Sequence, residues 1–104
     1  MPSSPGKYVN IHRERTLIKI HRKYVNIWDS LKESTKKDII SVIDEVAWGK
    51  RKGEKLREIV LDADGRKIPC FKFRTSKLRV IFCVDYKEKT VYIISIELRK
   101  KAYR

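Results

Sequence analysis

The chain has 104 residues, of which 41% are hydrophobic and 38% are charged. This balance excludes a disordered chain, and the length allows one modest core, so we expect a single domain over residues 1–104. Lysine and arginine outnumber aspartate and glutamate by 26 to 13, which leaves a net charge of +13. Residues 66–104 alone carry +9. A field of this size favours a polyanionic partner, and nucleic acid is the commonest polyanion.

The two cysteines, Cys70 and Cys83, lie within predicted strands and lack the spacing of a zinc or redox motif. We expect both to be reduced and buried, as is usual in a cytoplasmic protein. No apolar run approaches the roughly 20 residues of a membrane span. Residues 1–7 contain two prolines and a glycine, and we expect a flexible leader there.

The N-terminal half predicts one strand followed by two helices. Residues 8–12 alternate in polarity, which is typical of a strand. From Arg13 to Leu31 apolar residues recur at spacings of three and four, which predicts a helix. A second apolar stripe predicts a helix over Thr35 to Trp48, with Ser34 or Thr35 as its N-cap. A short link between the two helices predicts an antiparallel hairpin lying on one face of a sheet.

The second half predicts strands. Gly49 ends the second helix, and a basic loop over residues 50–55 follows. Asp64 and Gly65 predict a tight hairpin turn between the first two strands. The order is β-α-α-β-β-β-β, an α+β fold in which a small antiparallel sheet of about four to five strands packs against an N-terminal helical hairpin. The predicted strands are residues 57–63, 68–74, 78–85 and 90–98.

Basic and apolar segments follow one another in a specific order in the last third of the chain. A basic strand segment, Lys72-Phe73-Arg74, precedes the segment LRVIF at residues 78–82. The apolar segment VYIISI at residues 91–96 then leads to LRKKAYR at residues 98–104. This succession resembles the RelE/ParE toxin superfamily, in which a basic strand, a Tyr-Arg-Val-Ile-Tyr strand, an apolar strand and a terminal His-Arg-x-x-x-Tyr occur in the same order. The β-α-α-β-β-β plan of that family agrees with the predicted order.

The resemblance implies an mRNA interferase, a toxin that cuts mRNA in the ribosomal A site, inhibits translation and is neutralised by a cognate antitoxin. Cleavage by this route uses the 2′-hydroxyl of the substrate as the nucleophile. The site then needs a proton acceptor at that hydroxyl, cations around the phosphorane and a proton donor for the leaving 5′-oxygen. Lysine, arginine and tyrosine can supply these roles without metal, so no cofactor is expected.

Position by position, the resemblance assigns four catalytic residues. Lys72 is expected to stabilise the phosphate or act as a base, and Arg79 to bind the scissile phosphate. Arg99 is expected to stabilise the phosphate or donate a proton, and Tyr103 to stack on a base or position the phosphate. Further cations are expected to track the RNA backbone: Arg74, Lys77, Lys100, Lys101 and Arg104.

The chain departs from the family pattern at three positions. Leu98 stands where many members have histidine, which excludes a histidine acid or base there. Cys70 stands where some RelE-like members carry a second lysine, and Phe82 replaces a common tyrosine. The histidines of this chain, His12 and His21, fall in the predicted N-terminal strand and helix, where we expect structural or surface roles.

Two other functions stay open. A ParE-like inhibitor of DNA gyrase shares the fold, and the long first helix favours it. A nucleic-acid-binding module without catalysis would account for the charge alone. The toxin interpretation further predicts mRNA and the ribosome as partners, an acidic antitoxin that covers the basic groove in an oligomeric complex, and a cytoplasmic protein that does not engage a membrane.

Overall fold

Residues 7–99, the part of the chain that this computed structural model describes, form a six-stranded mixed sheet with helices on one face. The strands lie in the order β1-β2-β6-β5-β4-β3, and every neighbouring pair is antiparallel except β2 and β6, which are parallel. The elements are β1 (Tyr8–Arg13), β2 (Leu17–His21), a 3-10 turn (Arg22–Tyr24), α1 (Val25–Ser30), α2 (Glu33–Ala47), β3 (Glu54–Ala63), β4 (Arg66–Arg74), β5 (Leu78–Asp85) and β6 (Thr90–Leu98).

The register between β4 and β5 decides which side chains enter the core. Phe71 lies opposite Phe82, and their stacked rings are 5.8 Å apart. Both belong to the main core cluster, together with Ile39 and Ile43 of α2. Successive side chains of a strand alternate between faces. The residues directly before and after each of these phenylalanines therefore point to the other face of the sheet, away from α2. We call this second face the open face.

The first helix predicted from the sequence, Arg13 to Leu31, is wrong in its N-terminal part. Residues 17–21 form strand β2, which pairs with both β1 and β6, and only residues 25–30 form an α-helix after the 3-10 turn. Ile18 and Ile20 are fully buried while Lys19 between them is not, so burial repeats every two residues, as in a strand. The predicted helical hairpin is therefore wrong: a strand hairpin is followed by one short and one long helix. The predicted count of four to five strands is also too low, since the described residues form six.

The remaining elements follow the prediction closely. The strands at residues 78–85 and 90–98 are confirmed to the residue, and β1, β3 and β4 differ from prediction by a few terminal positions. Asp64 and Gly65 both have positive φ, as the predicted tight turn requires. The predicted N-cap is wrong, because α2 starts earlier, with Lys32 as N-cap and no side-chain capping bond.

The expectation of reduced cysteines is also wrong. Cys70 and Cys83 lie directly opposite each other on β4 and β5 and form a disulfide. They pack with Ile68 and Ala63 in a small apolar cluster on the open face. The inference of a cytoplasmic protein from reduced thiols therefore loses its basis.

A hydrogen-bonded cluster joins the end of α2 to the turn between β1 and β2. The buried hydroxyl of Thr16 donates to Asp44 and accepts from the indole N–H of Trp48 at 2.8 Å. Arg15 donates to Asp44 at 2.7 Å, and this bond is the main cause of the lowered pKa of Asp44. The cluster fixes the N-terminal hairpin against the helix. None of the helices in residues 7–99 is long and apolar enough to cross a membrane.

The salt bridge between Arg66 and Asp85 predicts a specific loss of stability in acid. Only 3% of the Asp85 side chain is exposed, and Arg66 donates to its two oxygens at 2.9 and 2.8 Å. These bonds from Arg66 lower the pKa of Asp85, although burial opposes them. A carboxylate with a lowered folded-state pKa stabilises the fold above its ordinary pKa of about 4, and the contribution is lost as the pH falls through the folded value.

We therefore expect Asp85→Asn to cost about 1–3 kcal/mol near neutrality and to flatten the decline of unfolding free energy between about pH 5 and pH 2. Urea denaturation across this range measures both effects. The exposed carboxylate of Asp62 provides the control variant, Asp62→Asn. Parallel pH profiles for wild type and Asp85→Asn would contradict the role of this pair.

Candidate nucleic-acid interface

Three cations lie together on the open face of the sheet. In β4, Phe71 and Phe73 pack on the helix side, so Lys72 and Arg74 point to the open face. In β5, Arg79 shares that face, because it lies opposite Arg74 in the antiparallel register. The alternation of aromatic and basic residues in β4 thus builds the core and the cationic surface at once.

The placement of Arg74 directly opposite Arg79 carries a cost. Side chains directly opposite on antiparallel strands are near neighbours, and like charges there destabilise the sheet. A surface with no ligand would gain from an opposite charge at one of these positions. A pair of cross-strand arginines is well suited to binding an anion such as a phosphate, which removes the repulsion.

Two carboxylates that sequence reasoning missed contact these cations. Glu97 accepts from Nε and Nη2 of Arg79 at 3.1 and 2.6 Å. Glu54 lies 3.2 Å from the amine of Lys72. Both glutamates are solvent-accessible, with 56% and 65% of their side chains exposed. No sequence signal existed for Glu97, because the register set by the short connector would place Ile96 opposite Arg79. A β-bulge, seen as a register shift between Ile81 and Phe82, brings Glu97 there instead.

Arg99 lies at the same end of the sheet and holds the turn between β4 and β5. Its backbone N–H donates to the carbonyl of Lys77 at 2.7 Å, and its guanidinium donates to the carbonyl of Thr75 at 2.9 Å. Lys77 is exposed within this turn. The structure therefore brings Arg99 to the end of β4 and β5 where Arg74 and Arg79 lie. The other predicted positions, Lys100, Lys101, Tyr103 and Arg104, lie outside the described residues.

The loop between α2 and β3 lies beside the same cations. Arg51, Lys52 and Gly53 of this loop line a cavity of about 300 Å³ to which Lys72 and Arg74 also contribute. Its other walls include core side chains of α2, β4 and β5, so the cavity lies on the helix side of the sheet edge and not on the open face. Gly53 approaches the ring of Phe71 so closely that an added Cβ would lie 2.6 Å from a ring carbon. Glycine at this position lets the basic loop sit against the sheet. The loop predicted as residues 50–55 ends two residues earlier, because Glu54 and Lys55 begin β3.

A separate groove of about 500 Å³ lies on the helix side at the same end of the sheet. It is formed by the start of α2, the turn at residues 75–78 and the end of β6. Leu98, with 49% of its surface exposed, is one of its walls. The residue that stands where many RelE-like proteins have histidine thus contributes apolar surface to this groove.

The histidines do not lie with Arg79. His12 is 3.9 Å from Glu14, and Nδ1 of His21 accepts from the backbone N–H of Lys23 at 3.1 Å. Within residues 7–99 no group of three or more His, Cys, Asp or Glu side chains is placed to hold a metal ion. The side chains that meet around Arg79 are basic and carboxylate groups, which can bind phosphate and transfer protons.

These elements define an α+β protein with helices on one face of a mixed sheet and cations on the other. Its fold is that of RelE. It is similar to a chain in the archaeal RelE–RelB complex from Pyrococcus horikoshii OT3, with a TM-score of 0.54 and 22% identity over 85% of this chain and 99% of that chain. It is also similar to the isolated E. coli RelE toxin, with a TM-score of 0.56 and 21% identity over 83% and 88% of the two chains. Neither a protein-family model nor a curated protein sequence matches the chain. The RelE-like fold that the resemblance implied is confirmed, while the strand count and the helical hairpin are corrected as described above.

The opposition of Arg74 and Arg79 predicts a stabilising substitution. We expect Arg74→Gln to raise the free energy of unfolding by about 0.3–0.5 kcal/mol at low salt, because it removes the cross-strand repulsion. The gain should disappear near 1 M salt, where charges on the surface are screened. Denaturant unfolding at two ionic strengths measures it.

Lys67 of β4 is the matched control, since it lies opposite Asp62 in the register with β3. Lys67→Gln removes an attraction and should lower stability slightly or leave it unchanged. Equal effects of the two substitutions would show that net charge, rather than the pairing of Arg74 with Arg79, controls stability.

Proposed function

We propose that this protein is a RelE-type toxin that cleaves mRNA on the ribosome and thereby inhibits translation. The observation that carries the proposal is the set of three cations on the open face, Lys72, Arg74 and Arg79, two of which contact a carboxylate. RelE neighbours share the fold, and the first of them is a RelE–RelB complex. The proposal places the protein in the cytoplasm, where translated mRNA lies.

The proposed reaction breaks the RNA strand without a metal. The 2′-hydroxyl of a nucleotide attacks the adjacent phosphorus, forming an O2′–P bond while the bond from phosphorus to the 5′-oxygen breaks. The products are a 2′,3′-cyclic phosphate and a 5′-hydroxyl. Arg79 and Arg74 bind the phosphate and stabilise the charge of the phosphorane, and Lys72 supports them from the neighbouring row of the sheet. Arg99 and Tyr103 are proposed to donate the proton to the leaving oxygen or to position the phosphate.

A proton acceptor for the 2′-hydroxyl is available in the same surface. Glu54 and Glu97 touch the amine of Lys72 and the guanidinium of Arg79, so a phosphate bound by these cations would lie near both carboxylates. An incoming phosphate competes for the cations and releases the glutamates from their ion pairs. We propose that one of these two carboxylates accepts the proton of the hydroxyl, in place of the histidine that the sequence lacks at Leu98.

The gyrase-inhibitor alternative has lost the feature that favoured it. It rested on a long first helix from Arg13 to Leu31, and half of that segment is strand β2 and the turn after it. A binding module without catalysis remains the competing function, and cleavage assays separate it from the toxin.

We further propose an acidic antitoxin as partner. The chain carries +13, and an exposed cationic face binds RNA indiscriminately unless a partner covers it. The remaining cations proposed to follow the RNA backbone are Lys77, Lys100, Lys101 and Arg104.

The cleavage proposal predicts loss of activity from single substitutions of the proposed catalytic residues. On translated reporter mRNA followed by primer extension, we expect wild type to produce cuts and Arg79→Ala to reduce the cleavage rate about 100-fold, because a charged contact to the phosphorane is lost. Tyr103→Ala should also reduce it. Of Glu54→Gln and Glu97→Gln, the variant that removes the proton acceptor should keep RNA binding and lose cleavage.

Lys67→Ala is the control for these variants, since it removes a β4 cation at the opposite end of the strand and should change the rate less than about twofold. RNA binding by wild type without cuts on any translated message would contradict catalysis and leave the binding module. Growth arrest relieved by excess gyrase would instead support the ParE-like alternative.

The antitoxin proposal is tested by co-expression with the neighbouring small acidic reading frame. We expect a stable complex whose formation prevents cleavage, and we expect Arg74→Glu with Arg79→Glu to weaken it by at least about tenfold through charge reversal. Isothermal titration with the purified partner measures the change. An affinity unaffected by the double reversal would place the partner on another surface.

A further inference from the structure

A second cluster of aromatic and basic side chains lies on the open face, at the edge furthest from β4. The ring of Tyr8 in β1 packs edge-on against Tyr92 at 5.2 Å and against His21 at 5.3 Å. The amine of Lys19 lies 5.8 Å from the centre of the Tyr92 ring. We call these four residues the N-terminal patch. All four are half-buried, so part of each side chain remains open to solvent.

The strand register places this patch in line with Lys72. Tyr8 lies opposite His21, and the parallel pairing of Ile20 with Ile93 brings His21 beside Ile94. The next pairs on the same line are Ser95 with Ile81 and Ile81 with Lys72. At about 4.8 Å per strand, His21 and Lys72 are about 14 Å apart, three strands across the same face.

The N-terminal segment that contributes three residues of the patch is strongly basic. Residues 7–24 contain six basic residues and one acidic residue, Glu14. Within the described range, no carboxylate lies within ion-pair distance of Lys19 or of Lys23. Lys72 and Arg79, in contrast, each face a glutamate. The amine of Lys19 is therefore not held in an ion pair with any described carboxylate, which leaves it available to a phosphate.

We propose that the N-terminal patch is a subsite for single-stranded RNA, which seats nucleotides of the substrate strand beyond the one that is cleaved. The proposal rests on the proposed function, because it assumes that the scissile phosphate lies at Lys72 and Arg79. The RNA crosses the sheet at right angles to the β-strands. The ring of Tyr8 or Tyr92 stacks on a base, and Lys19 binds a backbone phosphate. An open sheet face with aromatic rings and cations is a common platform for unpaired RNA.

The packing of the rings against each other also holds β1 on the sheet, so the test needs a readout beyond stability. We choose RNA in which every 2′-hydroxyl is methylated, because it cannot be cleaved. A dinucleotide, whose single phosphodiester binds at Lys72 and Arg79, is too short to reach the N-terminal patch, whereas a dodecanucleotide reaches both surfaces. Fluorescence anisotropy gives the two affinities.

Lys19→Gln should weaken dodecanucleotide binding about threefold and lower the salt dependence by about 0.7 in the log-log slope, because one phosphate contact is lost. Tyr8→Leu, which keeps an apolar side chain in place of the ring, should weaken it about fivefold through lost stacking. Neither substitution should change dinucleotide binding. If Tyr8→Leu does not fold, Lys19→Gln alone decides.

Lys37→Gln is the matched control, since Lys37 is an exposed cation on α2, on the other side of the sheet. Equal weakening by Lys19→Gln and Lys37→Gln would overturn the subsite in favour of a general field effect. Equal loss for both RNA lengths, or no loss, would also overturn it. The subsite and the proposed function fail separately, because a length-specific loss in a protein that cleaves no message would support the subsite and contradict the toxin.

Discussion

The antiparallel pairing of β4 with β5 determines both the core and the cationic surface of the protein. It sets Phe71 against Phe82 on the side of α2 and Cys70 against Cys83 on the other side. Once the aromatic pair is buried, Lys72, Arg74 and Arg79 have to share the open face. A slip by one residue would bury the cations and expose the aromatic rings, so the hydrophobic core and the position of the charged surface are specified together.

The cations of the open face differ in which charged group lies beside them. Two cations of the open face, Lys72 and Arg79, are held by glutamates, while Arg74 faces another arginine across the strand pair. In the proposed reaction, a phosphate displaces the glutamates from these cations. The same contacts would hold the carboxylates near the hydroxyl whose proton is removed.

Much of this arrangement can be predicted from the sequence because the C-terminal strands are runs of β-branched and aromatic residues separated by short polar connectors. The limits of β5 and β6 and the Asp64-Gly65 turn follow from these runs and connectors. The alternation of aromatic and basic residues in β4 likewise predicts that Lys72 and Arg74 share one face, whereas the position of Arg79 opposite Arg74 comes from the structure.

The helix predicted over residues 17–21 is wrong for a physical reason. Its apolar residues fit spacings of both two and three to four, and the pairing of β2 with β6, about 70 residues away in sequence, decided between them. The disulfide and the pair Lys72–Glu54 likewise depend on contacts between strands that local patterns do not encode.

The proposed function requires RNA to bind the open face of the sheet and not the helix side. Titration of the ¹⁵N-labelled protein with uncleavable single-stranded RNA, followed by amide chemical shifts, distinguishes the two faces. We expect the shift changes to centre on Lys72, Arg74 and Arg79 and to extend across β6 towards β2, while the exposed side of α2 is unaffected. Changes centred on α2 and the groove beside Leu98 would contradict it, because they would place the RNA on the opposite face of the molecule.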